Sequence, residues 1–447
     1  MKRVLIIAYY WPPAGGSGVQ RWVKFSKYLP SQGWQPVVYT PLNPEITSVD
    51  ETLLADIPAE AEVIKTRIVE PYSAYRMIMG SKQSTDMKTL MNDGKTAATG
   101  GEVNPINNDG RLSLKKRLSL FIRGNFFIPD PRVWWVRSSV KYLKKYLKEH
   151  PVDVIVTTGP PHSMHLIGCR LAKKTGLPWI PDFRDPWTKI FYYKHLHLTA
   201  WADRKHHRLE QAVLDDATAV LTVTPAVQAD YQARTKTPVE MITNGFDTDD
   251  FAAEPQKHEG FNVVHTGLFA AAGNPTAFWD LLAGRCARDE EFRSALRIRL
   301  SGKTDAEIFE AIRERGLDAN LVDNGYVNHE TAVREQRSAD LLLLPLRQEP
   351  EYAMILPGKL FEYLAAKKLV LGIGQPDGAC AKVLDETGAG EMYGWEDSEG
   401  MESVLDKAWK AYRDGTDPVV PERLEKYSRK ALTERLAILL DSVRRAE

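Results

Sequence analysis

The feature that most constrains this chain is that it starts the same folding pattern twice. Each half opens on a buried-strand pattern that leads into a loop containing glycine: VLIIAYYWPPAGGSG at 4–18 and FNVVHTG at 261–267. A short, nearly continuous apolar run reads as a strand covered on both faces, the kind found in parallel sheets. Each half then alternates apolar runs with amphipathic segments, which is the signature of repeated βαβ units. At 447 residues the chain is long enough for two or three cores. The expected class is therefore α/β. Two Rossmann-like domains face across a cleft, over 1–248 and 249–423, and a terminal helix occupies 424–447. That helix either closes the second domain or packs back on the first.

In the first half a strand at 4–8 precedes a helix starting near Ser17. Val19, Trp22, Val23 and Leu29 mark its apolar face and Arg21, Lys24 and Lys27 its polar one. Gln32 and Gly33 stop it before a strand at 37–39. Residues 73–113 break the alternation with loop-like stretches, a polar excursion of unusual length for a compact domain. Basic and apolar residues interleave over 112–128, which suits either an anionic membrane surface or a helix packed on its own domain. Order resumes with a strand at 154–158, a helix at 163–174 and a short strand at Trp179 and Ile180. A charged helix follows at about 202–214, then a strand at 219–223. The charged stretch 249–259 reads as the connection between domains. Strands are expected near 261–266, 296–300, 320–323, 340–344 and 369–373, helices at 329–337 and 358–367, and a last helix over about 424–445.

Composition removes several function classes. Lysine plus arginine equals aspartate plus glutamate, 59 each, so there is no basic excess of the kind a nucleic-acid binder carries. Cys169, Cys286 and Cys380 are scattered, form no disulfide framework and fit a reducing, cytoplasmic setting. The pairs His195 with His197 and His206 with His207 lack the spacing of a zinc helix, and no metal site is expected. The first apolar run ends at Trp11, Pro12 and Pro13 and lacks a signal-peptide cleavage pattern.

Five strand-to-helix junctions carry candidate chemistry. Gly15 and Gly16, in the GGSG loop, allow either close backbone approach to a phosphate at a helix start or simply a tight turn. The string is neither G-x-G-x-x-G nor a P-loop. In PDFRDPW at 181–187 two carboxylates bracket an arginine beside two aromatics. Asp182 and Asp185 could orient sugar hydroxyls and Arg184 a phosphate, or the three form a structural network around Trp187. His162 and His165 lie in TTGPPHSMH at 157–165, where a histidine could bond an acceptor hydroxyl or serve the structure. Lys303, in SGKT, either reaches a phosphate or stands on the surface. In LPGKLFEYLAA at 356–366, Gly358, Lys359 and Leu360 open a helix and Glu362 lies one turn on. Lys359 can offset diphosphate charge and Glu362 can accept two hydroxyls of a vicinal diol, the demand ribose makes. The alternative is a solvated i,i+3 pair.

Taken in order, these motifs resemble a retaining GT-B glycosyltransferase of the GT4-like group. The resemblance rests on PPAGGSGVQR at 12–21, GPPH at 159–162 and DFRDPW at 182–187, followed by TNGFD at 243–247, HTG at 265–267 and PGKLFEY at 357–363. It is nearest to bacterial enzymes of lipopolysaccharide, capsule or exopolysaccharide synthesis. The resemblance implies a nucleoside diphosphate sugar as donor, bound mainly by the second domain, and a glycan or lipid-linked acceptor. It implies no cofactor or catalytic metal, and peripheral contact with the cytoplasmic face of the inner membrane. Glu362 matches the glutamate that holds the donor ribose. The loop at Gly15 and Gly16, with Gly267, matches the approach to the diphosphate, and the segment from Asp182 to Asp185, with His162, the acceptor-side edge. Two positions depart from the pattern. Met354 stands where relatives place a first glutamate, and 268–274 lacks the usual basic pair. Arg347, Lys359 or Lys303 would then clamp the diphosphate. These departures keep open a non-catalytic sugar-nucleotide or glycan binder.

Overall fold

The computed structural model describes residues 1–46, 49–69, 121–122, 124–190, 193–252, 254–255 and 258–444. The polar excursion at 73–113 lies outside them, as do Lys115, Lys116 and Arg117. Contacts divide the chain into two units, Met1–Thr243 with Leu432–Glu447, and Asn244–Ala431.

The first unit is built on seven strands: β1 (Lys2–Ile7), β2 (Trp34–Pro41), β3 (Glu62–Thr66), β4 (Val154–Gly159), β5 (Trp179–Phe183), β6 (Val220–Thr222) and β7 (Val239–Met241). All pair in parallel, in the order 3-2-1-4-5-6-7. Between them run α1 (Ser17–Tyr28), α2 (Trp135–Glu149), α3 (Ser163–Thr175), α4 (Ala200–Asp216) and α5 (Pro225–Gln232). The central strand shows why its sequence is apolar throughout. Leu5 and Ile7 point into a core shared with Val136 and Leu143 of α2 and Ile167 and Leu171 of α3. Val4 and Ile6 point to the other face, against Val19, Trp22 and Val23 of α1. Alternate residues thus serve two covered faces, as a parallel strand requires.

The second unit repeats the plan with β8 (Phe261–Thr266), β9 (Leu296–Ser301), β10 (Leu321–Gly325), β11 (Leu341–Pro345), β12 (Val370–Ile373) and β13 (Gly390–Tyr393), in the order 10-9-8-11-12-13. Its helices are α6 (Thr276–Arg288), α7 (Glu290–Ala295), α8 (Ala306–Glu314), α9 (His329–Arg337), α10 (Gly358–Ala366), α11 (Ala379–Thr387) and α12 (Ser398–Asp414). One face of the sheet packs on Phe278, Trp279 and Leu282, the other on Leu360, Phe361 and Leu364. Both sheets reverse strand order at their first strand, between β1 and β4 and between β8 and β11. The crevice outside the carboxyl ends at such a reversal is where open α/β sheets hold ligands.

Three expectations change. Strand β5 does not stop at Ile180 but continues through Pro181 and Asp182 to Phe183, because the aspartate is paired inside the core. Arg21 and Lys24, expected on a polar face of α1, are buried. Arg21 meets Asp182, and the Lys24 amine is 2.9 Å from Asp56. The last helix, α13 (Arg429–Val443), starts later than expected, since Ser428 is extended and Arg423 has a positive φ. It packs back on the first unit, with Leu432, Leu436 and Leu440 in the core that holds Val4 and Trp22.

Replacing the fully buried Leu436 with alanine is expected to cost about 2–5 kcal/mol in urea unfolding of the full chain. Ile438→Ala, two residues on and 69% exposed, is expected to change stability by less than about 0.5 kcal/mol. Equal effects would place α13 off the sheet.

Candidate functional site

In the second unit the candidate residues gather at the carboxyl ends of β8 and β9 and the start of α10. Gly267 follows β8 with φ 92°, and its amide donates to Ser301 O at 2.7 Å. Gly302 follows β9 with φ 135°, and a Cβ there would lie 2.3 Å from Gly267 O. Backbone presses on backbone here, so only glycine fits at 302. The Lys359 amine donates to Leu268 O at 3.0 Å and to Nε2 of His265 at 3.1 Å. His265 is buried and its Nδ1 donates to Leu343 O at 3.0 Å, which leaves Nε2 as the acceptor for the lysine. Burial first, and the lysine charge second, hold this histidine well below its usual pKa, so it stays neutral. Burial likewise pulls Lys359 down to about 8, against a smaller upward pull from Glu362.

Glu362 lies one turn along the same helix, its side chain 21% exposed. Buried Gln336, on α9, donates from Nε2 to Oε2 of Glu362 and to Oγ1 of Thr266, both at 2.9 Å. One amide proton thereby holds the carboxylate and the other anchors the amide on β8. The other oxygen, Oε1, lies 4.0 Å from Nδ1 of His329, whose Nε2 is 3.2 Å from Asp250. The Tyr363 hydroxyl accepts from the Thr266 amide at 3.0 Å, and burial pushes it up to about 12. Along α10, then, a cationic amine and the first amides of the helix precede a fixed, partly open carboxylate by one turn, roughly 4.5 Å of rise. Such a helix can hold a pyrophosphate at its start and a diol beyond it. Gly358 opens the helix with open space where a side chain would be, and Leu360 turns into the core. Lys303 is exposed in the loop after β9. Arg347 is buried against Glu349, with Nη2 2.8 Å from Oε1.

In the first unit Asp182 is sealed. It is 0% exposed and accepts from Nε and Nη2 of Arg21 at 3.1 and 3.0 Å, from the Trp22 indole at 2.7 Å and from Thr158 Oγ1 at 3.1 Å. With its lone pairs taken inside the core, it has no face for a substrate. Arg184 donates to Pro160 O, and a Cβ on Gly18 would lie 2.8 Å from its Nη1. Asp185 is half-buried beside it. His162 stacks flat on Trp187, centroids 4.8 Å apart, and among the described residues its Nδ1 has no hydrogen-bond partner. Nε2 of His165 has none either, while its Nδ1 meets Thr157 at 2.9 Å. Burial lowers both rings, His165 to about 3, so both are neutral. Gly15 is half-buried and Gly16, with φ 99°, is exposed just before α1. Gln336 and His329 lie outside every motif, and Arg21 and His265, though inside PPAGGSGVQR and HTG, carry no role that the motifs assign. Periodicity alone marks them as polar helix or strand residues, and only the fold brings each to its partner.

Residues 122–245 match the glycosyl transferase 4-like domain. No curated protein matches the chain by sequence. Among solved structures, HepE of Anabaena in complex with UDP-glucose superposes with a TM-score of 0.57 at 13% identity, over 99% of this chain and 100% of that one. Sucrose-phosphate synthase of Thermosynechococcus elongatus gives 0.56 at 14% identity, covering 99% of each chain. WaaG, a glycosyltransferase involved in lipopolysaccharide biosynthesis, gives 0.55 at 16%, over 98% of this chain and 99% of that one. The likeness is one of fold, the GT-B arrangement of two Rossmann-like domains.

Two outcomes test this geometry. Arg21→Ala leaves the Asp182 carboxylate buried and uncompensated, and is expected to cost about 3–5 kcal/mol in urea unfolding. A cost below about 1 kcal/mol would mean that the pair is not sealed. Because burial depresses Lys359, the free protein loses this charge as pH rises through about 8. Affinity for a nucleoside diphosphate, measured by calorimetry, should be flat below that pH. Above it, affinity should fall up to about tenfold per pH unit, and stay flat in Lys359→Arg. A flat wild-type profile would remove Lys359 from anion binding.

Proposed function

We propose that this chain, with its glycosyl transferase 4-like segment and GT-B fold, moves a sugar from a nucleoside diphosphate sugar to a glycan or lipid-linked acceptor, with retention at the anomeric carbon. The observation that carries the reading is the pair on α10, where the Lys359 amine and the Glu362 carboxylate stand one turn apart, the latter fixed by Gln336. In this reading Glu362 accepts the two ribose hydroxyls. Lys359 and the amides at the start of α10, with Gly267 drawn close, receive the diphosphate. Their charge and dipoles meet the negative charge that grows on the leaving diphosphate, and they are already oriented when it forms. Lys303 and Arg347 are further candidates for that clamp. Arg347 would have to exchange Glu349 for phosphate to serve.

His162, Arg184 and Asp185 are the first-unit groups assigned to the acceptor and the transferred sugar. A neutral His162 with a buried, unpartnered Nδ1 can bond a hydroxyl. Asp182 acts through Arg21 and the strand ends rather than on substrate. No cofactor or metal enters this scheme. Among the described residues no helix is long and apolar enough to cross a membrane. The lipid-linked acceptor is met by peripheral contact of 112–128 with the cytoplasmic face of the inner membrane, in the synthesis of cell-surface polysaccharide such as lipopolysaccharide.

One observation favours a second reading, a sugar-nucleotide or glycan binder without turnover. The stretch 268–274 carries no basic residue, and Arg347 is held by Glu349. Release of nucleoside diphosphate only when acceptor is added supports transfer. Donor binding without release in any acceptor mixture supports the binder.

Glu362→Ala is expected to weaken donor binding about 10- to 100-fold, the loss of charge-assisted hydrogen bonds to a diol, with little change in unfolding. Calorimetry with the nucleotide sugar that most raises the melting temperature gives the affinity. Wild-type affinity in this variant would end the assignment of Glu362.

A further inference from the structure

A groove of about 530 Å³ between α2 and α3, far from α10 in sequence, is lined almost entirely by cations. Arg137, Lys141, Lys144, Lys145 and Lys148 come from α2, and Arg170 and Lys174 from α3. No carboxylate lines it, and among the described residues none of these seven is in an ion pair. The neighbouring Lys173 shows the contrast, since it lies 2.5 Å from Asp216. The spacing on α2 is that of one helical face, while Val136, Val140 and Leu143 of the same helix are buried in the core. Like charges at i,i+4, such as Lys141 with Lys145 and Lys144 with Lys148, destabilise the helix that bears them. A chain with 59 charges of each sign thus keeps a run of uncompensated cations roughly 16 Å long on one helix.

We propose that this α2–α3 face docks on a bilayer rich in anionic phospholipid. Charge complementarity alone would also admit a soluble polyanion. The aromatics at the head of the stripe favour the bilayer. Trp134 precedes Arg137 by three residues on the same face and is 55% exposed, and Phe126 is 71% exposed. The ring of Phe127 meets Trp134 edge-on with centroids 5.7 Å apart. Indole beside lysine is the pairing that lodges in the headgroup layer, the ring among acyl ends and the amines among phosphates. This surface adjoins 112–128, which contributes Phe126 and Phe127 to its aromatic end, but its cations come from α2 and α3 alone; it shares with the proposed function the membrane as partner.

The test is sedimentation of the full chain with vesicles of phosphatidylcholine alone, or containing about one-third phosphatidylglycerol. Wild type is expected to bind only the anionic vesicles, and less at high salt. Near such a surface each lysine contributes on the order of fivefold in partition. The variant K141Q/K144Q/K145Q/K148Q is therefore expected to lose at least ~50-fold, and Trp134→Ala on the order of tenfold. A parallel variant with Lys115, Lys116 and Arg117 changed to glutamine separates the two surfaces. The proposal is overturned if the α2 variant binds as wild type does, if only the 115–117 variant loses binding, if neutral vesicles bind equally, or if heparin binds where anionic vesicles do not. Thermal stabilisation by nucleotide sugar, measured on the same proteins without vesicles, reports the transferase reading separately.

Discussion

The first unit depends on one ion pair that no water reaches. Arg21 and Asp182 are both fully buried, and removing two charges from water costs several kcal/mol for each unless every polar atom finds a partner. Here they do. Besides its two bonds to the aspartate, Arg21 donates to the carbonyls of Ile242 and Thr243 at 2.9 and 2.8 Å, and Asp182 takes two more bonds from Trp22 and Thr158. These contacts tie α1 to the carboxyl ends of β4 and β5 and to the segment after β7. That segment is where the chain leaves the unit. The returning helix α13 bonds to the same place, Arg435 donating to Met241 O at 2.8 Å. A single guanidinium therefore sets where the loop carrying Gly15 and Gly16 enters α1 and where the strand before Arg184 ends.

The second unit uses its polar groups the other way. Gln336, buried and neutral, positions the Glu362 carboxylate, which stays partly open. Neutral His265 gives Lys359 an acceptor without a compensating charge, so the amine is poorly solvated and poorly paired, and its proton affinity falls. An arriving anion would supply what the site lacks. A sealed pair such as Arg21 with Asp182 gains nothing from a ligand. Burial with pairing marks Arg21 and Asp182 as charges that build the fold, and in the proposed reading Lys359 is the charge left for a ligand.

Sequence patterns carried the fold well because parallel strands announce themselves. The run at 4–7 is apolar on both faces, the one at 261–266 is built on Phe261, Val263 and Val264, and their pairing with amphipathic helices leaves little but a doubly wound sheet. Glu362 and Lys359 were legible too, since i and i+3 on a helix are neighbours wherever the helix lies. The misread residues share one cause. Arg21 and Lys24 looked like a polar face because periodicity records polarity and not partnership, and their partners are remote in the chain, Asp182 for one and Asp56 for the other. Pro181 and Asp182 looked like the end of a strand for the same reason. Strand β3 and strand β13 are short, with only Ile64 and Met392 buried among their side chains, so they lack the run that betrays the others. Helix α2 is half lysine-bearing surface, and its apolar stripe at 136, 140 and 143 makes sense only once β4 lies beneath it.

Net charge was the weakest guide, and the reason is physical. Equal numbers of acids and bases describe the far field, but a partner within a Debye length, about 8–10 Å, responds to the local groups. With seven cations in one groove that are unpaired among the described residues, the rest of the chain holds the compensating negative charge. The result is a neutral molecule with a strong internal asymmetry. Such a molecule gains little long-range attraction to a nucleic acid or an anionic membrane, yet once close it is turned so that one face leads. In the proposed transfer to a lipid-linked acceptor, orientation at contact matters more than affinity at a distance, because weak attraction would allow release after each encounter while a fixed approach would present the same loops to the surface every time.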